Sequence, residues 1–429
     1  MTAMTQVDLL RASYDAAVAA ADPLQMLAQH LPDRPRRAVV VGAGKAAASM
    51  AAAVERAWSD VELDGVVITR YAHGLPTRDI RVVEAGHPVP DEAGAAAAEE
   101  ILTRAGSLNP GDLLLALISG GGSSLLSLPA VDVPMADLKQ VTRDLLASGA
   151  PIEQMNVVRK HLSRIAGGQL ALSAATRGAQ VCALIVSDVT GDAPADIASG
   201  PCAADPSTFA DATAVLRRWK VTPPHSVATR LARGERGEIA ETPKPGDPRL
   251  DPVENRIIAT ARSSLVAAAG VFRDAGITPV ILGDTVTGEA REVAKVYAAL
   301  VREIRAHAAP FAPPVALISG GECTVTLPRG VRGRGGRCSE FLLSLAVELE
   351  NFPDVYALAA DTDGIDGSED NAGAWCAPDT AERAARAGVA ARTALDAHDA
   401  WGYFAAAGTL IVTGPTRTNV NDYRVILVG

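Results

Sequence analysis

Runs that are apolar at every position alternate along this chain with alanine-rich runs of helical length, and that alternation leaves few folds open. "RAVVVGAG" (37–44) gives way to "KAAASMAAAVERAW" (45–58), "DGVVITR" (64–70) follows, and "DLLLALISGGG" (112–122) leads into "MADLKQVTRDLLAS" (135–148). A long helical region, "IEQMNVVRKHLSRIAGGQLALSAATR" (152–177), precedes the strand "AQVCALIVSD" (179–188). Strands without polar alternation are buried on both faces, as in a mostly parallel sheet covered by helices. Between Val221 and Asn255 the texture changes to six prolines and little apolar periodicity, which marks the expected domain boundary. Beyond it the alternation resumes with "NRIIATARSSLVAAAGVFRDAG", "TPVILGD", a helix from Gly288 to about His307, "PVALISGG", a hairpin-like "CTVTLPRGVRGRGG" and "DVYALAADTDG". The expected fold is α/β with two lobes, each a largely parallel sheet flanked by helices, over 1–240 and 250–429, with an active-site cleft between the lobes.

Composition narrows the partners. The chain has 429 residues, enough for two or three domains. It is 48% hydrophobic but only 4% aromatic, so its cores must be built mostly of Ala, Val and Leu. A net charge of −10 argues against nucleic acid as the main partner, although a local basic cleft can still hold a small anion. No apolar run approaches the ~18 residues of a membrane span, which argues against a membrane partner. The N-terminal stretch carries acidic residues and no signal-peptide core, and reads as an ordinary helix. The five cysteines (Cys182, Cys202, Cys323, Cys338 and Cys376) form no CxxC pair, which predicts reduced thiols in a cytoplasmic protein and no structural zinc site.

The hexapeptide "ALISGG" occurs twice, at Ala116–Gly121 and at Ala316–Gly321. Each copy is expected to be a buried strand ending in a glycine turn, the place where open α/β sheets gather ligands. The first continues into Gly122, Ser123 and Ser124, so that Ser119, Gly120, Gly121 and Gly122 with the two serines form a backbone nest suited to phosphate or carboxylate. "VVVGAGKAAASMA" (39–51) is a strand, a glycine turn and a helix start. Gly42 and Gly44 let backbone approach an anion, and Lys45 stands where the helix dipole disfavours a cation unless an anion meets it. The spacing approaches a dinucleotide fingerprint, but "DGVVITR" ends in Thr69 and Arg70, not in a ribose-binding acid.

Other stretches offer charged groups. Asn156, Lys160 and Arg164 are expected on one helix face, which is as readily a solvated basic face as a binding one, and His161 reads as structural. Asp188 closes an apolar strand with Asp192 four residues on, a pair suited to metal binding or base catalysis, whereas Asp196 reads as a local turn or cap. Glu322 precedes Arg329, Arg332, Arg334 and Arg337 among glycines, an arrangement that can fold over phosphates or form a solvated tip. Asp361, Asp363 and Asp366 follow an apolar strand, but the glycine spacing rules out an EF-hand. Asn419 and Asn421 precede the last strand and suit either a turn or a ligand.

Taken in order, "VVGAGKAA", "GHPVPDEAG", "SGGGSSLL", "NVVRKHLSRIAGGQLA", "SDVTGD", "SGP", "RGRGGR", "AADTDGIDGSEDNAGA" and "TGPTRTNVNDYRV" resemble the glycerate 2-kinase family over almost the whole chain. Its members join an N-terminal glycerate-kinase domain to a C-terminal MOFRL domain, here about 312–429, and some once carried the label hydroxypyruvate reductase. The resemblance implies transfer of the ATP γ-phosphoryl group to the 2-hydroxyl of D-glycerate, or of a related hydroxy acid, with Mg²⁺ or another divalent cation. It implies Lys45 and Arg337 on the transferring phosphoryl group, and Asp188 or Asp192 activating the acceptor or holding metal. The 119–124 nest would take a carboxylate or phosphate, with Asn156, Lys160, Asn419 and Asn421 on the substrate or phosphate side. Glu322, Asp361 and Asp363 would complete the metal or nucleotide side, and a homodimer is compatible with the family. The alternative is an NAD(P)H-dependent hydroxypyruvate reductase. The chain departs from the family pattern at Cys338, Ser339 and Arg417, where Asn, Gln and Gly are common, and at Cys202 and Ala166, where Thr and Lys are. The first three departures lead to the expectation of a larger or more acidic acceptor.

Overall fold

The apolar runs become buried strands in the computed structural model, which describes residues 4–328, 330–350 and 353–429. Arg329 lies outside them. In the described residues, β1 (Arg37–Ala43), β2 (Glu62–Arg70), β3 (Ile80–Ala85), β4 (Leu113–Ile118), β5 (Gln180–Val186) and β6 (Val253–Ala259) form one sheet in the order β3-β2-β1-β4-β5-β6. Every pair from β3 across to β5 is parallel, as two-faced burial requires. All six residues of β4 are buried. Helices Glu92–Gly106 and Gln169–Ala175 send Ala98, Ile101, Leu170 and Ala174 into a core with Val39, Val41, Leu114 and Ala116. From β1 the chain winds outward to β2 and β3, then returns to add β4 and β5 on the other side. Strand order therefore reverses between β1 and β4, and the turns after those two strands share the switch point where such sheets bind ligands.

The second sheet contains β7 (Thr278–Glu289), β8 (Val315–Thr324), β9 (Val355–Asp361), β10 (Gly373–Cys376), β11 (Leu410–Ile411) and β12 (Asp422–Val428), in the order β11-β10-β9-β12-β8-β7. The expectation of a largely parallel sheet needs correction here. β7 and β8 are parallel, but β12 runs antiparallel to both β8 and β9, and β10 antiparallel to β9 and β11. The cause lies in the connections. Residues 362–372 join β9 to β10 without a helix, and a short connection returns the chain antiparallel.

The domain boundaries also differ from 1–240 and 250–429. Pro23–Ile258 form one compact unit, and the residues up to Asp22 join 259–429 in the other. Helix Gln6–Ala19, started by a Thr5–Asp8 capping box, buries Leu10, Tyr14 and Ala17 among Leu265, Phe272, Leu358 and Tyr423. The proline-rich stretch is no linker, because Thr242 donates to Asp205 at 2.9 Å and Asp205 N–H donates to the Pro243 carbonyl at 2.9 Å. Prolines there remove regular backbone pairing without ending the packing. No helix of the described residues is long and apolar enough to cross a membrane.

Candidate active site

In the unit 23–258, the turns after β1 and β4 are pinned to each other. Lys45 N–H donates to the Gly120 carbonyl at 2.8 Å, Ala46 N–H to Ser119 Oγ at 3.0 Å, and Ser119 N–H to the Ala43 carbonyl at 3.1 Å. The glycines of the first turn serve this contact. A methyl group on Gly44, whose φ is +140°, would lie 2.1 Å from Ser119 Oγ, and one on Gly42 would strike the Leu117 carbonyl. Gly42 and Gly44 thus admit the neighbouring strand and turn, where the sequence suggested room for an anion. Lys45 itself is half-buried, beside the Ser119–Ser124 turn. Within that turn, Gly122 N–H donates to Ser119 and Ser124 N–H to Gly121.

The loop after β5 closes on the same turn. Ser123 and Ser199 hydroxyls lie 2.9 Å apart, and Ser199 donates to Asn156 Oδ1 at 3.1 Å. Asn156 in turn donates to the Asp196 carbonyl at 3.3 Å. Asp188 and Asp192 stand half-buried on this loop, with Asp192 at φ +52°. Lys160 is 3% exposed and sits 3.5 Å from Asp205 and 3.6 Å from Asp196. It is committed to a buried ion network, and Asp196 is a member of that network in addition to being a turn residue. Burial opposes ionisation of Asp205, but Lys160 and the bonds from Ser207 hold its pKa below the ordinary value. The expected basic face of Asn156, Lys160 and Arg164 does not form. The helix ends at His161, and Arg164 pairs with Glu99. His161 is structural, bonded to Val157 and Glu241 and packed edge-on against Phe209.

The sequence reading missed two histidines, His87 and His73, that stand with Lys45 and Arg70. His87, from the loop after β3, brings its imidazole over the Ser119–Ser124 turn: a methyl group on Gly121 would lie 2.9 Å from His87 Nε2 and 3.6 Å from Lys45 Cγ. Burial, then the charges of Lys45, Arg70 and His73, push the His87 pKa down to about 4. "GHPVPDEAG" was a visible motif, but nothing local in it shows that the loop crosses the sheet.

The other unit centres on Arg337, the first residue of helix Arg337–Glu348. It donates to Asp422 at 2.6 Å, to Asp361 at 2.8 Å and to Glu322 at 2.8 Å. Burial alone would lower the guanidinium pKa, but Asp422, Asp361 and Glu322 together hold it well above its ordinary value. Asp422 also pairs with Arg424, which donates to the Gly320 carbonyl. Asp363 N–H donates to Asp361 at 3.0 Å, and Tyr14 donates to the Asp361 carbonyl at 2.9 Å. The final loop is laced onto this turn, since Thr362 donates to the Asn421 carbonyl and Thr416 to the Thr362 carbonyl. Asn419 and Asn421 are both buried there, beside Asp422. Asp422 and Arg424 were missed because each is one charge in an otherwise ordinary strand.

Several expectations fail in this unit. The second "ALISGG" does not end its strand: β8 runs through Gly320 and Gly321 to Thr324, with Gly321 opposite Val286 of β7. The stretch 323–336 forms no hairpin among the described residues. Arg332 is exposed, and Arg334 stacks on Trp401 at 4.0 Å. Cys338 and Ser339 are both 0% exposed. Their N–H groups and the Ser339 hydroxyl all donate to Asp366, so neither side chain is placed to read an acceptor. Arg417 has φ +59°, a left-handed conformation that accounts for glycine in the family pattern. Among the described residues, no group of three or more His, Cys, Asp or Glu could hold a metal ion.

Comparison with known proteins agrees with the resemblance. Residues 9–232 match the family described as "Domain of unknown function (DUF4147)", and 315–422 match the MOFRL family. A protein of Agrobacterium vitis named "Putative hydroxypyruvate reductase" is 51% identical, over 98% of this chain and 94% of its own. "Glycerate 2-kinase" of Pyrococcus horikoshii is 39% identical over 91% of this chain and 87% of its own. The crystal structure of glycerate kinase from Thermotoga maritima superposes with a TM-score of 0.85 at 35% identity, over 98% of this chain and 99% of that one. The chain belongs to the glycerate kinase family built from a DUF4147 and a MOFRL domain.

Proposed function

We propose that this chain is an ATP-dependent glycerate 2-kinase, transferring the γ-phosphoryl group to the 2-hydroxyl of D-glycerate. The observation that carries the reading is the pinned pair of turns at the β1/β4 switch point, which sets Lys45 beside the Ser119–Ser124 turn. Phosphoryl transfer needs positioning and charge neutralisation more than covalent help. Lys45 would neutralise the transferring phosphoryl oxygens, and Asp188 or Asp192 would receive the acceptor proton. Arg337, held rigid by its carboxylates, would be the second cation suited to phosphoryl oxygens. Asp361 and Asp363 suit a Mg²⁺ shell completed by nucleotide phosphates and water, which needs only one or two carboxylates, and not a resident all-protein metal site. Bound there, the metal would supply charge neutralisation to the phosphates.

The reductase reading has the name of the Agrobacterium relative in its favour. Against it, β2 ends on Thr69 and Arg70, with no carboxylate for a ribose. Two assays separate the readings: D-glycerate with ATP and Mg²⁺, and hydroxypyruvate with NADH or NADPH. ATP-dependent formation of 2-phosphoglycerate, identified by ³¹P NMR, is expected. Reduced-nicotinamide oxidation without phosphorylation would overturn the proposal.

A further inference from the structure

We propose that the loop after β3 completes an acceptor subsite within the unit 23–258, in which His87 and Arg70, with Lys45 and the Ser119–Ser124 turn, hold the carboxylate of a 2-hydroxy acid. The inference rests on the kinase reading and names the part of the site that reading left open. Arg70, the last residue of β2, pairs in register with Ala85, the last residue of β3. Two residues later the chain reaches His87. In the sheet, β2 and β1 separate β3 from β4. Yet a methyl group on Gly121, just after β4, would meet the His87 ring at 2.9 Å from Nε2 and 3.1 Å from Cδ2. The loop therefore crosses the carboxyl ends of β2 and β1 and sets the imidazole over the serine-glycine turn, next to Lys45. His73 joins the group through the turn after β2, its N–H donating to the Arg70 carbonyl at 3.1 Å.

The choice of a carboxylate over a nucleotide phosphate rests on charge. A nucleotide arrives with a divalent cation and suits carboxylates nearby, as around Arg337. A free hydroxy acid brings no counterion and suits cations and N–H donors. The largest charge effects on His87 come from Lys45, Arg70 and His73, while the nearby Asp91 carboxylate is taken up by the Gly86 N–H at 2.8 Å and the Tyr71 hydroxyl at 2.7 Å. A neutral imidazole among two permanent cations adds a directional hydrogen bond without further repulsion. Its ring can donate to a carboxylate oxygen while Arg70 balances the charge, and Lys45 would stand between that carboxylate and the transferring phosphoryl group.

The test uses the full-length enzyme. His87→Ala is expected to raise KM for D-glycerate by about 10-fold or more, the scale of one lost hydrogen bond to a charged group. KM for ATP should stay within about 2-fold, since the nucleotide would not touch the residue. His87→Gln, which keeps a donor, should recover part of the loss. Titration calorimetry of D-glycerate in the absence of nucleotide should show the same weakening, and this arm reads binding even if no turnover is found. Should the variants not fold, the wild type still decides. Carbethoxylation of His87, read by mass spectrometry, should be slowed by D-glycerate and not by ATP with Mg²⁺. A rise confined to KM for ATP, protection by nucleotide alone, or D-glycerate binding indifferent to His87 would each overturn the subsite. Absence of phosphorylation with intact, His87-dependent glycerate binding would instead count against the kinase reading alone.

Discussion

Lys45 and Arg337 carry opposite expectations, although both are proposed to meet phosphoryl oxygens. Lys45 is half-buried, and its backbone N–H donates to the Gly120 carbonyl, a bond that alanine at this position keeps. Lys45→Ala should therefore lower kcat by about 10²–10³, as loss of one preorganised charge-stabilising group does. The melting temperature should hardly move, and unchanged turnover would remove the residue from the mechanism. Arg337 is bonded to three carboxylates, two of them nearly inaccessible. Removing one partner of a buried ion pair costs about 3–5 kcal/mol. Arg337→Ala should thus lose activity and fold stability together, visible as a lower denaturant midpoint. Loss of activity at full stability would mean that the carboxylates do not depend on this cation. Arg417 belongs to neither class. Its φ of +59° costs an L-residue about 1–2 kcal/mol, which glycine avoids. Arg417→Gly is expected to raise or preserve the melting temperature without changing the ranking of acceptors. A changed ranking would restore the specificity role that the sequence suggested.

The elements show how far the sequence could be read. Strand identity was legible because burial on both faces writes itself as unbroken apolar runs, as in β4 and β5. Two copies of "ALISGG" could not be told apart, because the path of the chain beyond each is decided by a distant partner. Ser119 meets the turn after β1 and the chain bends, whereas Gly321 meets Val286 of β7 and the strand continues. Helix Arg337–Glu348 shows the same limit. Its N-terminus is capped by Asp366, which accepts from Cys338, Ser339 and the Ser339 hydroxyl, pairings across 28 and 27 residues of chain. Burial raises the Asp366 pKa from 3.8 to about 6, despite those bonds. In the unfolded chain this group has already lost its proton above pH ~4. Between the two values only the folded state holds the proton, so its contribution to stability is full below the lower value and falls as pH rises through the higher. Wild type should lose stability relative to Asp366→Asn between pH 4 and 6, measured by urea unfolding at each pH. Parallel curves for the two proteins would show that the carboxyl titrates normally.

At the scale of the whole molecule, chain continuity and folding unit do not coincide. Residues 23–258 are continuous and contain a complete six-stranded sheet with its helices. Residues 259–429 lack helix Gln6–Ala19, which covers part of their own sheet through Leu10, Tyr14 and Ala17. Burying a leucine or a large aromatic side chain is worth about 1.5–3 kcal/mol each, a large share of a domain's net stability. Tyr14 adds its bond to the Asp361 carbonyl, beside Arg337, and Ser13 accepts from Tyr423 at 2.8 Å. Composition could not show this, because an amphipathic helix near a terminus does not name the sheet it will cover. The fragment 23–258 is therefore expected to fold alone, with a cooperative thermal transition by circular dichroism. The fragment 259–429 should bind a hydrophobic dye and melt without a sharp transition. Fusing residues 1–22 to it through a flexible linker should restore cooperative melting, and Leu10→Asp in that fusion should abolish the gain. Cooperative folding of 259–429 without the helix would show that the sheet face tolerates exposure, and the helix would then be an accessory to the Arg337 cluster through Tyr14 and not a part of its core.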